Sequence, residues 1–311
     1  MQSAKLSRMI LANRLSAAGL VIVIIVVGLA MAYAIFGPKI TPYNPNVPNL
    51  QQANLPPSAS HIFGTDFEGR DLFSRIVSAL PIDIGVPLAV VLLSVVLGIF
   101  LGTVAAYSGG IIDEIIMRVT DLFLAFPTLV MVLVVAATLG PSLLNAVLAL
   151  FFVWWPPYVR LVRGGVLEVL TEDFISISKS LNSSFWYILR KGILPNIIPA
   201  LITYATLDVG TALLTLSILG YLGVGVPLST AELGVMVNSI KDNFYTYPLE
   251  GIIPALATML IVVGFSFLGE GAREATDVKV RPHILFRGSG LDWRKPSAPP
   301  APTTTGPDVP K

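Results

Sequence analysis

The sequence predicts an all-α integral membrane protein with six transmembrane helices, and three observations carry that expectation. Of the 311 residues, 54% are hydrophobic and only 13% charged, about half the charge that coats a soluble domain; the mean hydropathy is +0.77. Six apolar stretches approach the roughly 20 residues a helix needs to cross the hydrocarbon core. Each stretch is continuous rather than alternating, so the backbone satisfies its polar groups within helices and not in a barrel. The net charge of +1 lacks the basic excess of a nucleic-acid binder. With no cysteine and only two histidines, His61 and His283, thiolate chemistry is excluded and a histidine-based metal site has little material.

In chain order, residues 1–16 form an N-terminal segment bearing Lys5, Arg8 and Arg14. The first span, Ala17–Phe36, is longer than the roughly 7–15-residue core of a signal peptide and reads as a retained helix. A Pro- and Asn-rich loop, 37–83, carries GTDFEGRDLFSR at Gly64–Arg75 and leads into the second span, Ile84–Ala106. There Gly98 and Gly102 form a G-x-x-x-G face suited to close helix packing. The third and fourth spans, Leu122–Leu139 and Leu143–Val159, contain Pro127 and the pair Pro156-Pro157, each expected to kink its helix. A polar loop, 160–196, precedes the fifth span, Ile197–Leu222. Loop 223–250 mixes Gly and Pro with a short amphipathic helix near Leu233–Ile240, and Gly251–Leu268 is the sixth span. Together 17–281 make one six-span domain. The tail, 282–311, is rich in Pro, Ser and Thr; that composition cannot bury a core and is expected to be disordered. No internal repeat is visible, which speaks against an inverted-repeat secondary transporter.

Orientation follows from the Lys and Arg residues flanking the spans. With the N-terminus inside, Lys5, Arg8, Arg14, Arg118, Arg160, Arg163, Lys179, Arg190 and Lys191 face the cytoplasm. Only Lys39, Arg70, Arg75 and Lys241 face outward, nine against four before the tail is counted. Both termini are therefore expected to be cytoplasmic.

A translocating chain needs an energy input. The sequence has no G-x-x-x-x-G-K-[ST] phosphate loop and no dense carboxylate array in its spans for a proton relay. Energy must then come from a partner, and the partner needs a cytoplasmic handle. Thr171–Asn196 is a candidate. Thr171 or Asp173 can cap a helix running to about Leu181, with acids favourable in its first turn. Asn182 falls where the chain must turn, and Asn tolerates the left-handed conformation that ends helices. Ser183 or Ser184 can cap a second helix, Phe185–Lys191, which Pro195 is expected to end. Two short helices joined by a tight turn would make a rigid knob. The alternative is an amphipathic hairpin that only connects spans.

Three blocks then carry a resemblance: GTDFEGRDLFSRI at Gly64–Ile76, GGIIDEIIMRVTDLFLAFPTL at Gly109–Leu129, and YVRLVRGGVLEV at Tyr158–Val169 continuing through Asp173 to ILPN at Ile193–Asn196. In this order they resemble the C-type permease subunit of dipeptide/oligopeptide/nickel binding-protein-dependent ABC importers. LGYLGVGV and LGEGAREATD add weaker agreement. The resemblance implies the type I ABC importer permease fold, in the plasma membrane, with the knob as a coupling helix. It implies as partners a second permease, two ATPase subunits and an extracytoplasmic solute-binding protein. ATP and Mg would then sit on the ATPases, with no cofactor and no catalysis in this chain. Peptides are the cargo it implies, with oligosaccharides or nickel as alternatives. The family's E-A-A-x-x-x-G pattern falls on Ser176, Ile177, Ser178 and Asn182, so this chain departs at each position. Lys179, Leu181 and Ser183 complete the expected ATPase-coupling surface. An ion-driven secondary transporter or channel is the reading from another class.

Other residues admit two readings. Asp208 lies within the fifth span, where a carboxylate is costly unless it meets water or a partner; it would line the translocation cavity, or bond a Ser or Thr on a neighbouring helix. Asp113, Glu114 and Asp121 are expected to form a cap and ion pair with Arg118. In the outer loop, Gly64 and Gly69 suit tight turns, and Asp66, Arg70 and Asp71 can tie the loop as an internally bonded lid, one that can still meet the delivered binding protein; the other reading is direct contact with substrate.

Overall fold

The computed structural model describes residues 13–276. The expectations for most of 1–16, for the disordered tail and for His283 lie outside the described residues. Ten helices make up the described chain. They are α1 (Arg14–Phe36), α2 (Leu72–Ser108), α3 (Gly110–Leu124), α4 (Thr128–Leu139), α5 (Leu143–Leu170), α6 (Asp173–Ser180), α7 (Phe185–Tyr187), α8 (Leu194–Leu222), α9 (Leu233–Ser239) and α10 (Pro248–Thr276), with a π turn, Ile188–Ile193, joining α7 to α8. No strand occurs among the described residues.

Local chemistry sets the ends. Asn13 caps α1 by accepting the Leu15 amide at 3.0 Å, Asp71 caps α2 through the Ser74 amide at 2.8 Å, and Ser142 caps α5 through that of Asn145 at 3.1 Å. Each side-chain oxygen satisfies an amide that the first helical turn leaves without a partner. Gly109 and Gly140 close α2 and α4 at φ 60° and 81°, values an L side chain rarely adopts.

The longest contact runs between α2 and α5. A Cβ at Gly98 would stand 2.5 Å from the Tyr158 Cβ, and one at Gly102 2.8 Å from Val159 O and from the Val162 Cβ. The G-x-x-x-G face is thus consumed by helix packing. Position 98 meets 158 and position 102 meets 162, so the two helices run in the same direction. By contrast α8 and α10 are antiparallel, with Gly210 against Val262 and Leu207 against Gly269. The first span lies antiparallel along α10: Gly19 meets Phe267 and Gly264 meets Ile22, and Asn13 Nδ2 reaches both Glu274 carboxylate oxygens at 2.9 and 3.1 Å.

The third span departs from the sequence expectation. Leu122–Leu139 is not one kinked helix: α3 ends at Leu124, α4 begins after Pro127, and the two are bent by 87°. Pro127 takes an extended ψ of 120° at the α4 N-cap. Twelve residues of α4 reach only about 18 Å, short of the hydrocarbon thickness of about 30 Å. Because α2 and α5 run parallel, the chain must nevertheless cross back between them, and the broken α3–α4 pair makes that crossing. By length and apolar composition five helices of the described residues can cross a membrane, and this pair, taken as one span, makes up to six.

Further boundaries move, and α10 runs to Thr276 rather than stopping at Leu268. Helix α2 starts at Leu72 rather than Ile84, and α5 continues to Leu170 rather than stopping at Val159, so both project beyond their apolar cores. The Pro156-Pro157 pair lies inside α5 without ending it. Pro156 leaves the Phe152 carbonyl without its i+4 amide, and the Trp155 indole N–H donates to that carbonyl at 3.0 Å. Likewise Pro195 does not end a helix. It falls at the start of α8, where the wider π turn precedes it and the Asn196 side chain donates to Gly192 O at 2.6 Å.

Candidate functional site

At one end of the bundle, α6 and α7 form the knob. The turn between them is a left-handed cap: Asn182 has φ 57°, Ser183 N donates to Ser178 O at 3.1 Å, and Leu181 N donates to Ile177 O at 3.0 Å. The bond from position 183 back to 178 is the 6→1 closure of a Schellman motif. Ser184, rather than Ser183, caps α7 through the Tyr187 amide at 3.3 Å. Thr171 does not cap α6; its hydroxyl closes α5 on Glu168 O at 2.7 Å. Ile175 anchors α6, as Phe185 on Tyr107 anchors α7, with ring centroids 4.7 Å apart. Ile175 is 1% exposed, and a Cβ at Gly192 in the π turn would stand 2.7 Å from its Cδ1. Ser176, Ile177 and Leu181 point outward, Ile177 at 60% and Leu181 at 75% exposure. Sequence reasoning missed Ile175, although its offset from the exposed Ile177 marks the opposite face of one turn. Beside the knob, a cleft of about 680 Å³ opens between the end of α5 and the start of α8, lined by Arg160, Gly164, Gly165, Glu168, Glu172 and Asn196 among others.

The acids of α3 do not assemble around Arg118 as expected. Only Glu114 pairs with it, at 3.4 Å on the exposed surface. Asp113 instead takes a two-pronged bond from Arg163 at 2.5 Å, and Asp121 takes one from Arg160 at 2.5 Å. The acids are eight residues apart on α3, and their arginines three apart on α5. The pairs therefore clamp the broken span onto its neighbour, with a fork geometry that favours arginine.

Inside the bundle, Asp208 Oδ2 accepts two hydrogen bonds, from the Trp154 indole at 2.6 Å and the Tyr158 hydroxyl at 2.7 Å. Both donors come from α5, fifty or more residues away in sequence, so no local pattern announced them. The neighbouring Ser or Thr considered from sequence plays no part. Tyr204, one turn before Asp208, sets its ring edge-on to Tyr158 with centroids 5.1 Å apart.

At the opposite end, the GTDFEGRD segment is internally bonded. Asp66 Oδ1 accepts the Glu68 and Arg70 amides at 3.0 and 2.9 Å, and its Oδ2 meets Arg70 Nε at 2.8 Å and Arg75 Nε at 3.5 Å. Asp71 bonds His61 Nδ1 at 2.9 Å and Ser74 Oγ at 2.7 Å. Gly64 and Gly69, at φ 79° and 74°, press against the Leu55 and Asn49 carbonyls with no room for a Cβ.

The same end holds a carboxyl pair that sequence reasoning missed. Asp83 on α2 and Glu232 at the N-cap of α9 are both 0% exposed and face one another. Asp83 Oδ2 accepts the Leu233 amide at 3.2 Å, and Glu232 accepts those of Gly234 and Val235 at 2.9 and 2.7 Å. The two carboxyl side chains share a hydrogen bond, which requires that one of them carry a proton. Burial pushes the Glu232 carboxyl above the ordinary glutamate range, because desolvation disfavours the charged form.

The described residues thus combine long apolar helices and one broken span with a helix–turn–helix knob at one end and an internally bonded loop at the other. This fold is that of type I ABC importer permeases. A chain of the inward-facing MetNI methionine ABC transporter superposes with a TM-score of 0.53 at 19% identity, over 66% of this chain and 98% of that one. The chain belongs to the family described as binding-protein-dependent transport system inner membrane component, whose model matches residues 94–282. The N-terminal TM domain of oligopeptide transport permease C matches residues 5–57. Among curated relatives, the Escherichia coli K12 protein named "Probable D,D-dipeptide transport system permease protein DdpC" is 39% identical over 82% of this chain and 86% of its own length. The oligopeptide transport system permease protein OppC of Bacillus subtilis is 34% identical over 86% and 87%. The nickel transport system permease protein NikC of E. coli K12 is 33% identical over 84% and 93%. The chain is thus a transport permease subunit of an integral membrane system.

Proposed function

We propose that this chain and a second permease subunit enclose the translocation pathway of a peptide importer. A solute-binding protein would deliver the cargo, and two ATPase subunits, which bind ATP and Mg, would drive it. The observation that carries the reading is the knob, whose Ile177 and Leu181 stand exposed on a turn rigidly set by Asn182. Exposed apolar side chains on a fixed tip are what a groove in a partner can bury. In this reading Ser176, Ile177, Ser178, Lys179, Leu181, Asn182 and Ser183 meet an ATPase, and the knob end and both termini face the cytoplasm of the plasma membrane. Asp208 lines the pathway. The lid around Gly64, Asp66, Gly69, Arg70 and Asp71 faces outward, toward the binding protein. Closure of the ATPases on ATP would draw the two knobs together and tilt the permeases from inward- to outward-facing; hydrolysis would reset them.

Peptide cargo is supported by the dipeptide and oligopeptide permeases among the relatives, and the nickel permease supports nickel as the second reading. Reconstitution of the permease pair with its ATPases and binding protein tests both. ATP-dependent accumulation of labelled alanyl-alanine, with no accumulation of nickel ion, is expected; the reverse result would replace the peptide reading with the nickel one.

A further inference from the structure

Asp208 is held by one oxygen only. Oδ2 accepts from Trp154 and Tyr158, whereas Oδ1 accepts no hydrogen bond among the described residues, and the residue is half-buried. Along α8, Tyr204, Asp208 and Thr211 recur at the i, i+4 and i+7 spacing that places side chains on one helical face. Tyr204 is 36% exposed and Thr211 is exposed. A membrane-spanning helix with a polar stripe containing a carboxylate cannot turn that stripe to lipid without a cost of about 3 kcal/mol or more. The stripe therefore faces a watery path or a polar partner surface.

We infer that Asp208 Oδ1, with the partly exposed ring of Tyr204, forms a subsite for a primary ammonium group of the cargo. A carboxylate supplies the opposite charge and a hydrogen-bond acceptor, and an aromatic ring adds attraction for a cation within about 6 Å of its centroid. Trp154 and Tyr158 are positioning residues: both bind Oδ2, which leaves Oδ1 as the oxygen not already engaged. A divalent metal fits this site poorly, because it asks for several oxygen or nitrogen ligands at once, and one carboxylate among aromatic rings offers few. The inference rests on the peptide-importer reading, and it names the peptide's amino group as the part of the cargo that this chain reads.

Saturation-transfer NMR on the assembled importer in nanodiscs, without binding protein, tests it. The probes are alanyl-alanine amide, which carries an ammonium, and its N-acetylated form, which does not. The charged probe is expected to give a signal about tenfold or more above the acetylated one, the factor that one charge-assisted hydrogen bond supplies. In Asp208→Asn, which keeps an oxygen for Trp154 and Tyr158, the charged probe should fall to the level of the acetylated one; Asp208→Glu should retain most of the signal. Nα-acetyl-lysine methylamide separates a side-chain ammonium from an α-ammonium, and a signal comparable to that of the dipeptide amide supports a site that accepts either. Equal signals from the charged and acetylated dipeptide probes on the unsubstituted protein would overturn the inference with no variant needed. Ammonium binding without ATP-driven peptide uptake would keep the site and refute the cargo. Peptide uptake unchanged in Asp208→Asn would keep the cargo and refute the site.

Discussion

Replacing both exposed knob residues, Ile177→Ser and Leu181→Ser, should detach the ATPase while leaving the permease folded. Complete burial of an Ile or Leu side chain contributes about 1.5–3 kcal/mol. With 60% and 75% of these residues still exposed, docking can bury enough for about 1–2 kcal/mol each. The pair then accounts for about 2–4 kcal/mol, or a loss of about 30- to 1,000-fold in affinity for the ATPase. Stability should hold, because neither residue belongs to the buried core and Ile175 remains the anchor. The assay is a titration of purified ATPase against the nanodisc-embedded permease pair, alongside ATPase stimulation by loaded binding protein. Wild-type affinity and wild-type stimulation in the double variant would refute the assignment of the knob as the coupling element.

Four other outcomes follow from the geometry. Gly98→Val should destabilise the α2–α5 contact by about 1–3 kcal/mol, because its Cβ would lie 2.5 Å from that of Tyr158. Gly28→Ala, with nothing within 4 Å of its Cβ position, should be neutral to mildly stabilising inside its helix, and thermal unfolding of the two variants checks the contrast. Asp113→Arg should loosen α3 from α5, and adding Arg163→Asp should restore it, read as protease resistance of the bend at 125–127. The cysteine-free chain allows single-cysteine mapping: Tyr245→Cys, at a position 99% exposed, should react with an impermeant maleimide on intact cells, and Leu181→Cys only after permeabilisation. Finally, the folded state raises the Glu232 pKa above its unfolded value, so folding favours the protonated form. The stability this contributes is complete below the unfolded glutamate pKa and is lost as pH rises through the raised one. Hydrogen exchange in α9 should therefore quicken with rising pH beyond the intrinsic rate, and neutralising the pair with Asp83→Asn and Glu232→Gln together should remove that excess.

What was legible in the sequence was local. Asn182 stood where a helix must stop and a residue must accept positive φ, and both requirements concern neighbouring atoms only. Helices α1, α8 and α9 likewise begin and end near the positions that apolar runs and glycines marked. Direction was not legible. Hydropathy reports how apolar 122–139 is, not that Pro127 turns the chain by 87°; of the acids before that bend, Glu114 pairs with Arg118 on its own helix, but the partners of Asp113 and Asp121 lie on α5. The same limit hid the surroundings of Asp208. Its position inside a span singled it out, but its donors, Trp154 and Tyr158, lie on another helix fifty or more positions away. The Asp83–Glu232 pair joins residues about 150 positions apart and left no periodic signal. Among the family's coupling positions, Ser176, Ile177, Ser178 and Asn182 depart in identity, yet the turn geometry survives because Asn can take the place of Gly there.

The most direct test of the account is uptake of labelled alanyl-alanine into proteoliposomes containing the permease pair, its ATPases and binding protein, measured with ATP and, separately, with an imposed proton or sodium gradient. Uptake that requires both ATP and binding protein, and that ignores the ion gradients, is the predicted result. Uptake driven by an ion gradient in vesicles lacking the ATPase subunits would contradict it.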